Sequence, residues 1–278
     1  MTELAVTVDD LPAHGPSPSA VTRLGIALQM TQTLRRYAVP EVYGFTNGAP
    51  LEADPELEKI LTVWRQAGFL LGNHTFSHLD LTRVSAARYL ADIERNEQVL
   101  ARQRPPGTVK YFRHPYLHDG DTVKKRTAVR QWLAGRGYTV APVTVDFQDW
   151  AWNDAYARCR LRHDTAAIAR LGASFVKAAT SHLAASVELS TRLFGRPIKH
   201  ILSLHIGAFD ALMLHEVLAA YQAAGTRFIT LRAALQDPVY RIDPGIGEAT
   251  LLVRIAKVRG VPTPGLSDPP PELATLCR

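Results

Sequence analysis

The chain has 278 residues, of which 46% are apolar and 21% are charged. This composition excludes a disordered, collagen-like or coiled-coil chain and is typical of one large domain or two small ones. The net charge of +6 raises the question of nucleic acid, but the basic residues are scattered and no aromatic platform accompanies them. We therefore expect no nucleic-acid partner.

Two cysteines, Cys159 and Cys277, exclude a disulfide framework and any cysteine-built zinc or iron–sulfur site, but leave the redox compartment open. No run reaches the roughly 18 apolar residues that a membrane span needs. The N-terminus shows no signal-peptide pattern, so a complete chain would be cytoplasmic, and an export signal outside this sequence would change that expectation. The oligomeric state stays open.

Short apolar runs rich in β-branched residues predict seven strands along the chain. We place them at residues 4–8, 41–45, 69–72, 109–112, 139–145, 199–204 and 227–231. Helical patterns lie between them: residues 20–37, a helix after Pro55, one after Thr82 as N-cap, residues 123–133, and residues 210–224 with Asp210 as a cap. This alternation predicts an α/β fold with a parallel sheet, and seven repeats favour an incomplete barrel over an open sheet.

Two segments depart from the repeating pattern. Residues 152–196 precede the sixth strand and predict an enlarged helical insertion of one or two helices that could roof one side of a cleft. We assign residues 1–240 to one domain that includes this insertion, and residues 241–278 to a C-terminal extension. The proline-rich tail from Val261 is expected to be extended or mobile.

Polar residues gather where five of the seven predicted strands end. They are Asp9 and Asp10, His74 and His78, Arg113, Asp146 and Asp149, and His205. The carboxyl ends of parallel strands meet at one rim, so we expect these side chains to lie close together. Each piece alone has an ordinary explanation, such as a helix cap or a surface histidine pair. The whole set at successive strand ends makes those explanations improbable.

Elementary coordination chemistry suggests how these residues divide the work. His74 and His78, with three residues between them, can share one face of a helical turn, and with one of the two aspartates they form a three-ligand shell suited to Zn²⁺. The other aspartate could then take a proton from water. An arginine would keep this base ionised, Asp149 would hold the arginine, and a charged His205 could protonate a leaving group. The pattern indicates metal-assisted hydrolysis.

Five motifs in the order of the chain resemble those of the NodB-like polysaccharide deacetylases, carbohydrate esterase family 4. They are Thr7-Val8-Asp9-Asp10-Leu11-Pro12, His74-Thr75-Phe76-Ser77-His78, Arg113-His114-Pro115-Tyr116, Asp146-Phe147-Gln148-Asp149-Trp150 and Leu202-Ser203-Leu204-His205. The resemblance implies that residues 1–240 form a distorted (β/α) barrel of about seven strands.

The resemblance also implies a role for each motif residue. Asp9 would be the general base and His205 the general acid, while Arg113 would orient Asp9 and Asp149 would pair with Arg113. The metal ligands would be Asp10, His74 and His78. The backbone N–H of Tyr116 would stabilise the oxyanion, and Trp150 and Leu204 would line a pocket for the acetyl methyl group. Zn²⁺ is the expected metal, although this ligand set also admits Co²⁺, Ni²⁺ or Mn²⁺.

We therefore expect a hydrolase that removes N-acetyl groups from a GlcNAc-containing glycan such as peptidoglycan or chitin. The same chemistry on O-acetyl esters of xylan or on small cyclic amides is an alternative, and a non-catalytic carbohydrate-binding protein is a third reading. The sequence departs from the family at Leu11, where glycine is usual, and a His14-Gly15-Pro16 loop follows. His14, His114 and His118 are expected to line the groove or the surface and not to bind the metal.

Overall fold

The computed structural model of the protein describes residues 1–264 and 268–278. In this part of the chain seven parallel strands form one curled sheet, which confirms the predicted α/β class and strand count. The strands are β1 Thr2–Leu11, β2 Tyr43–Thr46, β3 Leu70–Asn73, β4 Lys110–Phe112, β5 Tyr138–Val140, β6 Lys199–His205 and β7 Thr226–Ile229.

The sheet curls into an incomplete barrel around β1. The strand order is β5-β4-β3-β2-β1-β6, and β7 pairs with the beginning of β1. The chain beyond β5 reaches β6 through a parallel bridge between Val145 and Leu202, where the Ser203 N–H donates to the Val145 carbonyl at 3.1 Å. This contact brings the two ends of the sheet together, as the distorted barrel prediction requires.

Side-chain alternation along β1 decides which residues face the barrel interior. Val6 and Val8 pack in the core between the sheet and the helices, whereas Ala5 belongs to the core inside the curled sheet. Successive strand residues point to opposite faces, so Thr7 and Asp9 share the face of Ala5. A strand made mainly of apolar residues thus delivers one carboxylate to the interior of the barrel at its carboxyl end.

Ten α-helices surround the sheet in the described residues. They are α1 Arg23–Arg36, α2 Ala49–Ala53, α3 Glu58–Gln66, α4 Ala86–Ala101, α5 Val123–Gly135, α6 Trp152–Leu161, α7 Thr165–Phe194, α8 Ala208–Ala223, α9 Leu231–Leu235 and α10 Leu251–Arg259. None of them is long and apolar enough to cross a membrane, a finding that covers the described residues only.

Two predicted helix caps are wrong. The N-cap of α4 is Ser85, whose hydroxyl accepts from the Arg88 N–H, while Thr82 hydrogen-bonds to Asp80 within the preceding loop. Asp210 lies inside the first turn of α8, where it is buried and accepts a hydrogen bond from the Asn153 side chain at 2.8 Å. The buried hydrogen bond from Asn153 thus takes the place of helix capping by Asp210. The sequence pattern could not reveal this contact between distant residues.

The insertion before the sixth strand consists of α6 and α7, as predicted, and α7 is 30 residues long. Its Phe175 meets the rings of Phe147, Trp152 and Phe209 at centroid distances of 5.1, 5.4 and 5.3 Å in edge-to-face contacts. Edge-to-face packing is a favourable arrangement for buried aromatic rings. The insertion is therefore integrated into the main core.

The proline-rich tail is anchored to the domain, contrary to prediction. Residues 265–267 of this tail lie outside the described residues. Beyond them, Leu273 is buried and Cys277 forms a disulfide with Cys159 of α6. The Arg158 guanidinium donates to the carbonyl oxygens of Leu273 and Leu276. Side chains 118 residues apart thus hold the tail, and tail composition alone did not indicate this pairing. The domain division at residue 240 stays a prediction.

Candidate active site

A cleft of about 900 Å³ opens at the carboxyl ends of the strands, where the polar residues were predicted to gather. Residues from four of the five motif segments meet at its floor: Asp9, Asp10, His74, His78, Asp146 and His205 all line it. The fifth segment contributes Tyr116, and Arg113 lies buried beneath the floor. The structure therefore brings residues from distant parts of the chain to one site.

Asp10, His74 and His78 form the group that could hold a cation. The Asp10 Oδ1 atom lies 3.5 Å from His74 Nε2 and 3.3 Å from His78 Nε2, and the three candidate ligand atoms lie within 4.8 Å of one another. In the described part of the chain, Asp10 Oδ1 is buried without a hydrogen-bond partner. Because a buried carboxylate oxygen needs a partner, this orphaned atom fits a metal ligand.

The two histidines are held on a loop and not on a helical turn. Residues 74–78 follow β3 without helical structure, and His78 has a left-handed backbone with a φ of 53°. The prediction of a shared helical face is wrong, although the two rings lie 5.0 Å apart. Loop conformation, set by neighbouring segments, achieves the convergence that helical spacing was expected to give.

Both imidazoles are placed to act as nitrogen ligands. His74 Nδ1 lies 2.9 Å from the Arg113 carbonyl oxygen. A carbonyl can only accept, so Nδ1 carries a proton and Nε2 is the nitrogen that faces Asp10. Burial, with a smaller contribution from His74, lowers the pKa of His78 to about 4. Two nitrogen donors and one carboxylate oxygen make a donor set that fits a divalent cation such as Zn²⁺.

Asp9 lies beside this group in a fixed hydrogen-bond network. Its Oδ1 atom accepts from Arg113 Nη1 at 2.9 Å, and its Oδ2 atom accepts from the Ser203 hydroxyl at 2.7 Å. Arg113 is fully buried, and the same Nη1 also donates to the Thr7 hydroxyl at 2.6 Å. The guanidinium compensates the charge of the buried carboxylate, so Asp9 is held in one orientation.

His205 faces Asp9 across the neighbouring strand and is held by Asp149. The β1–β6 register pairs Asp9 with His205. His205 Nδ1 lies 2.7 Å from Asp149 Oδ1, and the His205 backbone N–H donates to Asp149 Oδ2 at 2.6 Å. The prediction that Asp149 pairs with Arg113 is therefore wrong. Asp149 lies in the segment between β5 and β6, and it meets β6 because the barrel closes there. The order of the motifs along the chain cannot show this contact.

Asp149 keeps the His205 imidazole charged. Burial by itself lowers the pKa of His205, but the charge and hydrogen bond of Asp149 outweigh burial and raise this pKa well above the usual value. Asp210 lies behind Asp149, where burial and the Asp149 charge raise the Asp210 pKa well above its ordinary value. The raised pKa of Asp210 and the lowered pKa of Asp149 favour a single negative charge on Asp149, next to the imidazole.

The predicted pocket residues lie at different depths. Tyr116 is 56% exposed on the rim, with a φ of 58° and its ring 4.5 Å from that of His78, and Trp150 is 45% exposed on the cleft wall. Leu204 is only 2% exposed and packs in the core between the sheet and the helices. The prediction that Leu204 lines the acetyl pocket is wrong, because Ser203 and His205 occupy the cleft-facing positions on either side of it.

Several residues of the site were not singled out from the sequence. Ser203 and Thr7 belong to two of the quoted motifs but were given no role, and they bond to Asp9 and Arg113 respectively. Ser203 lies two residues before His205 and Thr7 two residues before Asp9, the spacing that places side chains on one strand face. His182 of the insertion lines the cleft, with Nδ1 2.8 Å from the Asp146 carbonyl oxygen. No local signal marks His182, since only the docking of α7 brings it to the site.

Fold and site together define a class of protein: a curled α/β barrel with a candidate cation centre at the strand ends, flanked by a carboxylate and an imidazolium. The family model described as polysaccharide deacetylase matches residues 2–132. This match supports the resemblance to the NodB-like polysaccharide deacetylases, carbohydrate esterase family 4, that the five motifs indicated. Asp149 and His205 lie beyond the matched segment, so their placement rests on the geometry given above.

Individual known proteins show how far the similarity extends. The chain is 25% identical over 234 residues to a peptidoglycan-N-acetylglucosamine deacetylase of Bacillus cereus, covering 84% of this chain and 68% of the relative. Its fold is similar to that of a chitin deacetylase from Colletotrichum lindemuthianum, with a TM-score of 0.59, 22% identity, and coverage of 84% and 88%. It is also similar in fold to a family 4 pseudoenzyme from Bacillus anthracis, with a TM-score of 0.56, 11% identity, and coverage of 84% and 66%.

Proposed function

We propose that this protein is a metal-dependent hydrolase that removes N-acetyl groups from a GlcNAc-containing glycan such as peptidoglycan or chitin. One observation carries the proposal. The group of Asp10, His74 and His78 lies between a carboxylate held by Arg113 and an imidazole held by Asp149. A proton acceptor and a proton donor around one candidate cation centre are what amide hydrolysis requires.

Asp10, His74 and His78 would hold the cation, with Zn²⁺ as the best match to two imidazoles and one carboxylate. Bound there, the ion would polarise the acetamide carbonyl and lower the pKa of water towards about 7. Co²⁺, Ni²⁺ and Mn²⁺ also suit this donor set. The protein supplies the fixed geometry, because the Arg113 carbonyl orients His74.

Asp9 and His205 would handle the protons. Arg113, 2.9 Å away, compensates the negative charge of Asp9 before the reaction. Asp9 then accepts a proton from the attacking water. His205 enters the reaction protonated and delivers its proton to the amine nitrogen as the carbon–nitrogen bond breaks. Placed acid and base groups each typically contribute roughly 10²–10⁴-fold to the rate. The backbone N–H of Tyr116 is proposed to stabilise the developing oxyanion, and Trp150 to contact the acetyl group.

The substrate class rests on the relatives and on the open cleft. The curated Bacillus cereus relative is a peptidoglycan-N-acetylglucosamine deacetylase. The cleft is large enough for a sugar unit, since small-molecule sites usually measure about 300–1,000 Å³. Exposed Tyr116 and Trp150 give its rim two amphipathic rings.

Product release tests this function directly. The whole chain, loaded with Zn²⁺, would be assayed for acetate on chitooligosaccharides, peptidoglycan and acetylated xylan, and for ring opening on cyclic ureides. We expect acetate from one of the first two substrates, reversible loss of activity with a chelator, and loss of turnover in Asp9→Asn with metal content nearly unchanged. Full activity of Asp9→Asn would contradict the assignment of the base. Absence of acetate from the two GlcNAc-containing substrates would overturn the proposed substrate class.

A second candidate keeps the chemistry and changes the substrate to O-acetyl esters or small cyclic amides. The cleft lining favours it, because Thr250 and Val253 from the C-terminal extension and His182 from the insertion line the cleft together with the motif residues. Turnover of xylan or ureide without turnover of GlcNAc polymers would select this candidate. A purely carbohydrate-binding role would be selected by glycan binding with no turnover of any of these substrates.

A further inference from the structure

His14 occupies a position in the cleft that neither the five motifs nor the proposed mechanism explains. Its Nδ1 atom lies 2.7 Å from Asp10 Oδ2, and its ring centroid lies 4.8 Å from that of His205. The histidine thus stands between a candidate metal ligand and the proposed acid. It belongs to the loop after β1, where the sequence departs from the usual family pattern at Leu11.

The backbone around His14 is anchored by two other elements. Arg23, the first residue of α1, donates from Nη1 to the His14 carbonyl at 2.7 Å and from Nη2 to the Gly15 carbonyl. Gly15 has a φ of +60°, and a Cβ atom there would lie 3.3 Å from the Asn153 Cβ of α6. Glycine is the residue that adopts this conformation without strain. The fold itself therefore sets the position of His14, without help from a bound ion.

The contact with His14 gives the two carboxylate oxygens of Asp10 different partners. The imidazole of His14 bonds to Oδ2, whereas Oδ1 stays without a hydrogen-bond partner among the described residues and faces the Nε2 atoms of His74 and His78. Hydrogen bonds to a ligating carboxylate fix its orientation. With Oδ2 engaged, rotation of the Asp10 carboxylate would break the bond to His14, so Oδ1 remains directed at the two histidines.

The contact of His14 with Asp10 comes from outside the candidate ligand group. Its ring nitrogen lies within hydrogen-bond distance of the Asp10 carboxylate, while His14 itself is not part of the Asp10, His74 and His78 group. The Nδ1 atom of His14 faces Asp10 Oδ2. His14 therefore lies next to the candidate ligands and is not one of them.

We propose that His14 is a positioning residue that orients Asp10 for a divalent cation. The inference rests on the proposed metal site. Removal of a residue that hydrogen-bonds to a metal ligand typically costs about 10–100-fold in metal affinity. His14→Ala should therefore raise the Zn²⁺ dissociation constant about 10–100-fold. His14→Asn, whose amide can donate from a similar position, should restore part of that loss.

The experiment measures Zn²⁺ affinity of the whole chain by competition with a chromophoric chelator, together with thermal unfolding of the metal-free variants. His118→Ala is the matched control, because His118 also lines the cleft but its Nδ1 atom lies 3.1 Å from Asp80 Oδ1 and is not placed against Asp10. We expect the control to bind Zn²⁺ like the wild type. We also expect the metal-free His14 variants to unfold near the wild-type temperature, which a merely structural role for His14 would not predict.

His78→Ala separates this inference from the metal site beneath it. Loss of Zn²⁺ binding in His78→Ala, with unchanged affinity in both His14 variants, would overturn the role of His14 and leave the metal site standing. Unchanged affinity in His78→Ala, or no Zn²⁺ binding by the wild type, would overturn both. If His14→Ala fails to fold, the affinity of His14→Asn relative to His118→Ala decides the question.

Discussion

At the scale of single residues, the proposed acid depends on a buried carboxylate. Asp149 is fully buried and uses both oxygens on His205, one on the ring and one on the backbone N–H. This arrangement fixes the imidazole and also keeps its charge in a site where burial opposes that charge. The same imidazole would lose its proton more readily if the carboxylate were removed.

Asp149→Asn is expected to shift the pH dependence of acetate release. The acid must be protonated to work, so activity is present below the pKa of His205 and is lost as the pH rises through it. Asp149 raises this pKa, and its neutralisation should move the alkaline limb of the rate profile to lower pH and reduce turnover by about 10²–10⁴-fold. Rate profiles of the wild type and the variant measure both effects.

Asp154→Asn is the matched control, since Asp154 is an exposed carboxylate on α6. Its alkaline limb should coincide with that of the wild type. An Asp149→Asn profile with an unmoved alkaline limb would show that His205 is not the group that titrates there.

At the scale of elements, the insertion formed by α6 and α7 packs into the core of the domain and also forms part of the cleft wall. Phe175 of α7 is 1% exposed and contacts three other aromatic rings. Helix α7 also delivers His182 to the cleft from the same buried side. Packing and site geometry are therefore linked through one helix.

Phe175→Ala should lower the free energy of unfolding by about 3–5 kcal/mol, because truncation of a buried aromatic ring loses apolar burial and leaves a cavity. Denaturant unfolding followed by circular dichroism measures the change. Leu161→Ala, at a position that is 76% exposed at the end of α6, should change stability by less than about 0.5 kcal/mol. Equal effects of the two substitutions would show that α7 does not belong to the cooperative core.

At the scale of the whole molecule, the Cys159–Cys277 disulfide joins the insertion to the end of the chain across 118 residues. The tail that it holds includes Asp268, which lines the cleft beyond the undescribed residues 265–267. The covalent link and the two Arg158 hydrogen bonds thus tie one wall of the cleft to α6.

Reduction of this disulfide should lower the free energy of unfolding by about 2–5 kcal/mol, since a cross-link over a long loop restricts the unfolded chain. Urea unfolding with and without a thiol reductant measures the effect. The Cys159→Ala, Cys277→Ala double variant should be insensitive to the reductant. Identical unfolding midpoints of the wild type under both conditions would contradict a stabilising disulfide.

The sequence by itself determined the fold class, the number of strands and the location of the candidate site. Apolar runs with period-two or helical spacing are local signals, and they placed each of the seven strands within a few residues of its position in the structure. Motif residues at strand ends follow from the same local signals, because every parallel strand brings its carboxyl end to one rim. That is why Asp10, His74 and His78 could be grouped before their distances were known.

The tertiary structure decided which polar groups face one another. Asp149 reaches His205, Leu204 turns into the core, His14 bonds to Asp10 and the tail docks on α6, all through contacts between residues distant in the chain. These outcomes depend on how the sheet closes and on which loop conformations the packed helices impose. Such long-range packing leaves no periodic or compositional trace along the chain, so sequence patterns identified the participants and the folded molecule assigned their partners.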